Sequence, residues 1–288
     1  MTEAMQMPPG LRLVRAANPG PLTGAGTNSW VIGEGRVAII DPGPADPAHL
    51  AALLAAISGE RVECILVTHA HADHSALARP LADATGAPVL AWGDAAAGRD
   101  PRLAALPALG GGEGVDRTFH PDQTLADGGI VEGPDWRLEV VHTPGHMANH
   151  ICLAWGEETF TGDHVMGWAT SIVSPPDGDM AAYMTSLDRL AGRGTGRCWP
   201  GHGAAVADGT ARIAELVAHR RQREAQILAA LSDRAETPAA LAEQIYADLD
   251  PRLLPAAARN VLAHLIDLAS RGLVSADAEL RRFSSAAN

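Results

Sequence analysis

An α/β fold, with two sheets sandwiched between helices and followed by a small helical unit closed by a β-ribbon, is what this 288-residue sequence predicts. Three observations predict it. From Arg36 onward, short β-branched apolar runs alternate with Ala/Leu-rich helical patterns. Near Gly203 the strand signals stop and a long helical pattern takes over. Two further helical patterns and a short strand-turn-strand complete the chain.

Taken in order, Val37 to Ile40 reads as a buried strand ending in Asp41-Pro42-Gly43, His49 to Ser58 as a helix, and Val62 to Val67 as the next strand. A helical pattern from Ser75 to Ala84 is closed by Gly86, and Pro88 to Trp92 is strand again. The Gly/Pro-rich stretch from Arg99 to Gln123, with Gly110-Gly111-Gly112 inside it, reads as a solvent loop or as a flap beside an active site. Trp136 to His142, Ile151 to Trp155 and Thr159 to Thr161 supply a second set of strands. Asp177-Gly178-Asp179 then caps a helix from Met180 to Ala191. A long helix from Thr210 to Leu231 carries His219-Arg220-Arg221-Gln222-Arg223. Helices over Pro238 to Asp248 and Leu254 to Ser270, the latter stopped by Gly272, precede strand-turn-strand from Leu273 to Phe283. That order is the winged-helix pattern. The expected division is residues 1–205 for the larger unit and 206–288 for the linking helix and small unit.

Composition narrows the chemistry. Apolar residues make up 47% of the chain, ample for a core without staples. Cys64, Cys152 and Cys198 lie in or beside apolar runs and form no CxxC pair, which reads as buried thiols in a reducing compartment. Met1 to Gly10 has neither a basic nor an apolar signal region, and the Ala/Leu stretch His49 to Ile57 is too short to span a bilayer. The expectation is a soluble, cytoplasmic chain with no membrane partner. All 22 basic residues are arginine, which removes Schiff-base and P-loop lysine chemistry. The net charge of -12 is concentrated in the first 205 residues, a surface unfavourable for polyanions.

The chemistry is carried by Thr68-His69-Ala70-His71-Ala72-Asp73-His74, on the turn between a buried strand and a helix. Neutral imidazole and ionised carboxylate are the ligands that borderline cations such as zinc prefer. Three further segments end strands with a ligand-type residue and a glycine: Thr143-Pro144-Gly145-His146, Thr161-Gly162-Asp163 and Pro200-Gly201-His202-Gly203. Together they offer His69, His71, Asp73, His74, His146, Asp163 and His202, a set suited to two divalent ions. Two cations roughly 3.5 to 4 Å apart lower the pKa of a shared water toward neutrality and so generate a hydroxide nucleophile, with Asp73 to orient it. One metal polarises the substrate oxygen and the other stabilises the leaving atom. Such a site specifies hydrolysis without specifying the substrate.

In this order and spacing, HAHADH, TPGH, TGD and PGHG over residues 11 to 205 resemble the metallo-β-lactamase superfamily. The resemblance implies an αββα sandwich with the metals at one edge of the sheets. It implies that His69, His71 and His146 hold the first metal, that Asp73, His74 and His202 hold the second, and that Asp163 bridges them. Asp41 matches an aspartate that supports the metal loop from behind. His219-Arg220-x-x-Arg223-Glu224 on a long helix, with a winged-helix unit after it, is similar to the β-lactamase-like protein 2 group. That group implies either endoribonuclease activity on single-stranded RNA or thioesterase activity on carrier-bound polyketides.

The remaining residues divide between site and packing. His142, His150 and His164 are candidates to orient ligands, with His164 the one that could face a substrate pocket; His49, His120 and His264 read as structural or exposed. The irregular segment after Asp163 could line the cleft, with Trp168 and Tyr183 as aromatic surfaces, or both could be core. The leading expectation is a dinuclear zinc hydrolase acting on a small ester, thioester or lactone-like substrate. The alternative is cleavage of single-stranded RNA guided by Arg220, Arg221 and Arg223, although a solvated face or interdomain ion pairs explain that cluster too. A nucleic-acid-binding regulator with a relic metal domain, and a mononuclear iron dioxygenase, are the readings from other classes. The small unit is expected to pack against the larger one or to mediate a homodimer.

Overall fold

A computed structural model describes residues 7–106, 109–232 and 234–286. The reading of the N-terminal segment as lacking a signal extends to residues 1–6, which lie outside the described residues. Two sheets stack face to face with helices on their outer faces. In the first, β1 (Leu11–Arg15), β2 (Asn28–Ile32) and β3 (Arg36–Ile40) are antiparallel neighbours. β4 (Arg61–Leu66), β5 (Val89–Ala91) and β6 (Gln123–Thr124) continue it in parallel from β3. The second runs β11 (Cys198–Pro200), β10 (Glu158–Gly162), β9 (Ile151–Trp155), β8 (Arg137–His142) and β7 (Ile130–Glu132), antiparallel except for the β10–β11 pair.

Alternation along the strands decides which layer each side chain enters. Ala38, Ile40, Cys64 and Leu66 point between the sheets and meet Leu138, Val140, Leu153 and Phe160. Val37, Ile39, Ile65 and Val67 point outward under α1 (Pro47–Ala56) and α3 (Ala78–Thr85). Val141, Cys152 and Cys198 pack beneath α5 (Met180–Gly192) and α6 (Gly209–Ala230). The expected αββα sandwich is therefore present, and all three cysteines are buried thiols. α7 (Pro238–Ile245), α8 (Leu254–Ser270), β12 (Val274–Ala276) and β13 (Phe283–Ser285) enclose a separate core of Leu241, Val261, Leu265, Leu268 and Phe283, as a winged-helix region should. Among the described residues no helix is long and apolar enough to cross a membrane.

Three expectations need correction. The single helix over Ser75 to Ala84 is two pieces, α2 (Ala72–Ser75) and α3, because Leu77 N donates to Gly43 O and Gly43 N to His74 O, docking the turn on the β3–α1 loop. Among the described residues the stretch Arg99 to Gln123 includes the helical turn α4 (Pro101–Ala104) and ends in β6; its 112–116 part lies on the 69–74 loop, with Ala72 N bonded to Gly114 O at 2.7 Å and Asp116 N to Ala70 O at 2.9 Å. The pair β1–β2 was not anticipated, although Leu11-Arg12-Leu13 alternates as a strand should.

Candidate metal centre

Asp41 and Asp163 follow directly from the C-terminal ends of β3 and β10, His69 comes three residues after β4 and His202 two residues after β11, so the strand ends deliver them to one edge of the sandwich. His146 arrives from the turn between β8 and β9, and α2 carries Asp73 and His74. The seven residues expected to converge do so. Ligand atoms of His69, His71 and His146 form one compact group and those of Asp73, His74 and His202 another; His69, His74 and Asp163 link them. Gly201 makes the approach feasible, since a Cβ there would lie 2.5 Å from His74 Cε1 and 2.7 Å from Asp163 Oδ1.

The hydrogen bonds behind the cluster set the ring tautomers. Asp41, at a left-handed φ of 54°, accepts Thr68 N at 2.8 Å, Thr68 Oγ1 at 2.8 Å and His74 Nδ1–H at 2.9 Å. Because Thr68 Oγ1 gives its proton to Asp41, it accepts from His69 Nδ1–H at 3.0 Å. His146 Nδ1–H donates to Ile172 O at 2.5 Å and His202 Nδ1–H to Gly26 O at 3.3 Å, since a carbonyl can only accept. In its neutral form each of these four rings therefore turns a bare Nε2 toward the centre.

Those bare nitrogens are the test of whether cations fit. His69 Nε2 and His146 Nε2 each lie 3.0 Å from His71 Nδ1. Donors held ~2.0–2.1 Å from one tetrahedral ion stand about 3.3 Å apart, so the spacing is close to that of a ligand set. Asp163 Oδ1 is buried without a hydrogen bond, 3.4 Å from His74 Nε2, while Oδ2 lies 3.7 Å from His146 Nε2 and 3.5 Å from His202 Nε2. One carboxylate thus reaches both groups. Asp73 Oδ2 stands 3.2 Å from His202 Nε2 and 3.4 Å from Thr27 Oγ1.

Charge in the metal-free cluster is distributed accordingly. Burial, reinforced by His74, His71 and His146, holds His69 well below its ordinary pKa, and burial takes His71 down to about 3. Burial pulls His74 and His202 the same way, but Asp73, Asp163 and Asp41 hold His74 well above its ordinary value, and Asp163 and Asp73 raise His202 to about 9. Burial would raise Asp73 and Asp163, yet His74 and His202 keep both well below the usual carboxylate range. A half-buried and a buried carboxylate, Asp73 and Asp163, demand positive charge, and protons supply it when cations do not.

Other candidates fall where packing explains them. His164 is fully buried behind Asp163, its ring 4.5 Å from Tyr183, so it does not face a pocket. Tyr183 is not a cleft surface either: it is core, with its hydroxyl donating to His164 O at 3.0 Å. Trp168 differs from both. It is 45% exposed, packs on Gly203 and Gly24, and stands over an open groove of about 440 Å³ lined also by Val206, Asp208, Arg212 and Glu215. His142 stacks on Trp92 and His150 bonds Thr143, both as packing. Reading the sequence missed Asn28, whose amide donates to Pro200 O and Gly203 O and so holds the His202 turn. It also missed the buried role of Arg220, for which the signal was available: Ile213, Leu216 and Ile227 place that arginine on the apolar face of α6.

Comparison with known proteins agrees with this geometry. The model of the family described as "Metallo-beta-lactamase superfamily" matches residues 22–202, and that of "Beta-lactamase associated winged helix domain" matches residues 237–282. A protein named "Beta-lactamase-like protein 2 homolog" from Drosophila melanogaster is 32% identical over 270 residues, which cover 90% of this chain and 87% of that protein. An "Atrochrysone carboxyl ACP thioesterase" from Aspergillus chevalieri is 29% identical over 239 residues, 81% of this chain and 69% of that one. The crystal structure of a metallo-beta-lactamase family protein from Thermus thermophilus superposes with a TM-score of 0.78 at 28% identity, covering 96% of this chain and 99% of that one.

Proposed function

From the premise that this chain belongs to the metallo-β-lactamase superfamily, we propose that it is a dinuclear zinc hydrolase of small ester, thioester or lactone-like substrates. The observation that carries the reading is Asp163, a single buried carboxylate in reach of both histidine groups. His69, His71 and His146 would hold one ion, Asp73, His74 and His202 the other, with Asp163 between them. Two bound divalent ions supply Lewis acidity for a substrate oxygen and bring the acidity of water toward neutral pH.

The chain's own groups do the rest. Asp41 and Thr68 keep His74 and His69 in the tautomer that presents Nε2. Asp73 has the more open of the two carboxylates, its side chain 28% exposed against 11% for Asp163. It therefore orients the attacking water and receives its proton. Trp168 and the groove beneath it offer an apolar wall to an acyl group beside the His202 turn. A relative named as a carrier-protein thioesterase supports an acyl substrate over a phosphodiester.

The RNA alternative relied on the basic cluster of α6 as a guide. Arg220 is 1% exposed, and Arg223 lies over the Tyr246 ring at 4.5 Å, so neither is set out for a phosphate backbone. Arg271, the residue that closes α8, pairs with Glu224 and Asp267. Replacing Arg220 and Arg223 is therefore no test of RNA guidance, since Arg220 cannot touch a strand. A panel of thioesters, esters and lactones, run beside labelled single-stranded RNA with chelator-treated controls, tests the proposal. Metal-dependent turnover of an acyl substrate is expected; metal-dependent cleavage of RNA alone would overturn it.

A further inference from the structure

We propose that Arg220 and Asn260 are positioning residues for the three-histidine group, holding backbone 171–173 so that His146 keeps its Nε2 aimed at His69 and His71. This inference rests on the metal-binding reading above.

Arg220 is buried on the apolar face of α6, and among the described residues no carboxylate forms a salt bridge with it. A buried guanidinium without a counter-ion is costly, and among the described residues Arg220 Nε has no acceptor, so its two terminal nitrogens carry the compensation. One terminal nitrogen donates to Ser171 O and the other to Asn260 Oδ1 at 3.3 Å, while the guanidinium carbon sits 5.0 Å from the centre of the Tyr183 ring. Asn260, on α8, also accepts Val173 N at 2.9 Å. The residues on both sides of Ile172 are thereby fixed, one through its carbonyl and one through its amide. Ile172 O is the acceptor that holds His146 Nδ1–H.

The same clamp reaches Asp163. Ser171 Oγ lies against Asp163 O and, at 2.9 Å, His164 O, and Tyr183 Oη joins them from beneath the guanidinium, 3.0 Å from His164 O and 3.3 Å from Ser171 Oγ. Arg212 and Arg259 bind the ends of this segment at Met166, Ala169, Ser174 and Pro175. Among the described side chains that bind this segment, the Arg220–Asn260 pair is the one that brackets the acceptor of a histidine in the cluster. The C-terminal helices therefore form the rear support of the first metal group. Partners of this kind orient the ring and fix its tautomer, and their loss weakens metal binding without removing a ligand.

The test is a cobalt(II) titration of metal-free, full-length wild type, Arg220→Met, Arg220→Lys and Asn260→Ala, following the visible absorption of each bound ion. His71→Ala identifies the spectrum of the three-histidine group. Arg220→Met and Asn260→Ala are expected to weaken that ion about 10- to 100-fold while the other changes by less than about threefold. Arg220→Lys should recover part of the loss, because an ammonium can still donate to Ser171 O. Two ions bound as tightly as in wild type would overturn the proposal, as would equal weakening of both in step with a lowered Tm. If Arg220→Met does not fold, Asn260→Ala decides on the same criteria. Failure of wild type to take up cobalt would overturn the metal reading itself, and this assignment with it.

Discussion

At the sheet edge, His69, His71, Asp73 and His74 lie within one short segment and face buried carboxylates; on the far side of the 163–175 segment, Arg212, Arg220 and Arg259 spend their donors on backbone carbonyls. Both sets are polar groups taken out of water, and each is stable only when its partners are in place. Their partners differ in kind. The edge presents converging lone pairs that a cation satisfies, whereas the helices present donors that, Arg220 Nε apart, the chain already satisfies. A substitution at the edge should remove chemistry, and one among the helices should remove alignment.

That difference can be broken or sharpened in graded steps. Asp163→Asn keeps the shape and removes the charge shared by both groups, so it should lower kcat by about 10²- to 10³-fold and release at least one ion, read by steady-state kinetics and elemental analysis. Asp41→Ala removes no expected ligand. It deprives His74 Nδ1 and Thr68 of their acceptor and should weaken metal binding about 10- to 100-fold, measured by competition with a chromophoric chelator. Acidification acts through the same atoms. The bare Nε2 nitrogens take either a proton or a cation, and His202 without metal binds its proton up to about pH 9, so metal affinity should rise as pH increases toward that value and fall as it decreases. A calorimetric titration in buffers of different ionisation enthalpy would count the protons released. The smallest effect belongs to Arg271→Ala, at a partly exposed arginine that bridges Glu224 and Asp267, and it should cost about 1 kcal/mol in denaturant unfolding and leave metal content unchanged.

How much of this was legible follows the same division. The His/Asp cluster is readable because a site able to hold cations needs histidine and aspartate at strand ends, which places HAHADH, TPGH, TGD and PGHG in short segments with glycine beside three of them. Most longer strands and helices from Arg36 onward are readable from periodicity, and α8 matches its expected span of Leu254 to Ser270, whereas the short α4, β6 and β7 carry too few residues to show a period. The break at Leu77 is not readable, because it is made by bonds to a loop more than thirty residues earlier. For Tyr183 the sequence leaves cleft and core equally open, and His164 is only a candidate to face a pocket; the chain turns both inward, and Tyr183 joins the core under α5 and α6. Arg220 was grouped with Arg221 and Arg223 as one basic surface. Helical rotation separates them: Arg221 is exposed, and Arg220 joins the stripe of Ile213 and Leu216.

The central claim is that seven side chains from four segments cage two cations through one shared carboxylate. Elemental analysis of wild type and Asp163→Ala, each reconstituted with zinc and freed of excess, tests it most directly. Two ions per chain in wild type and at most one in the variant are predicted; none in wild type, or two in both, would contradict it.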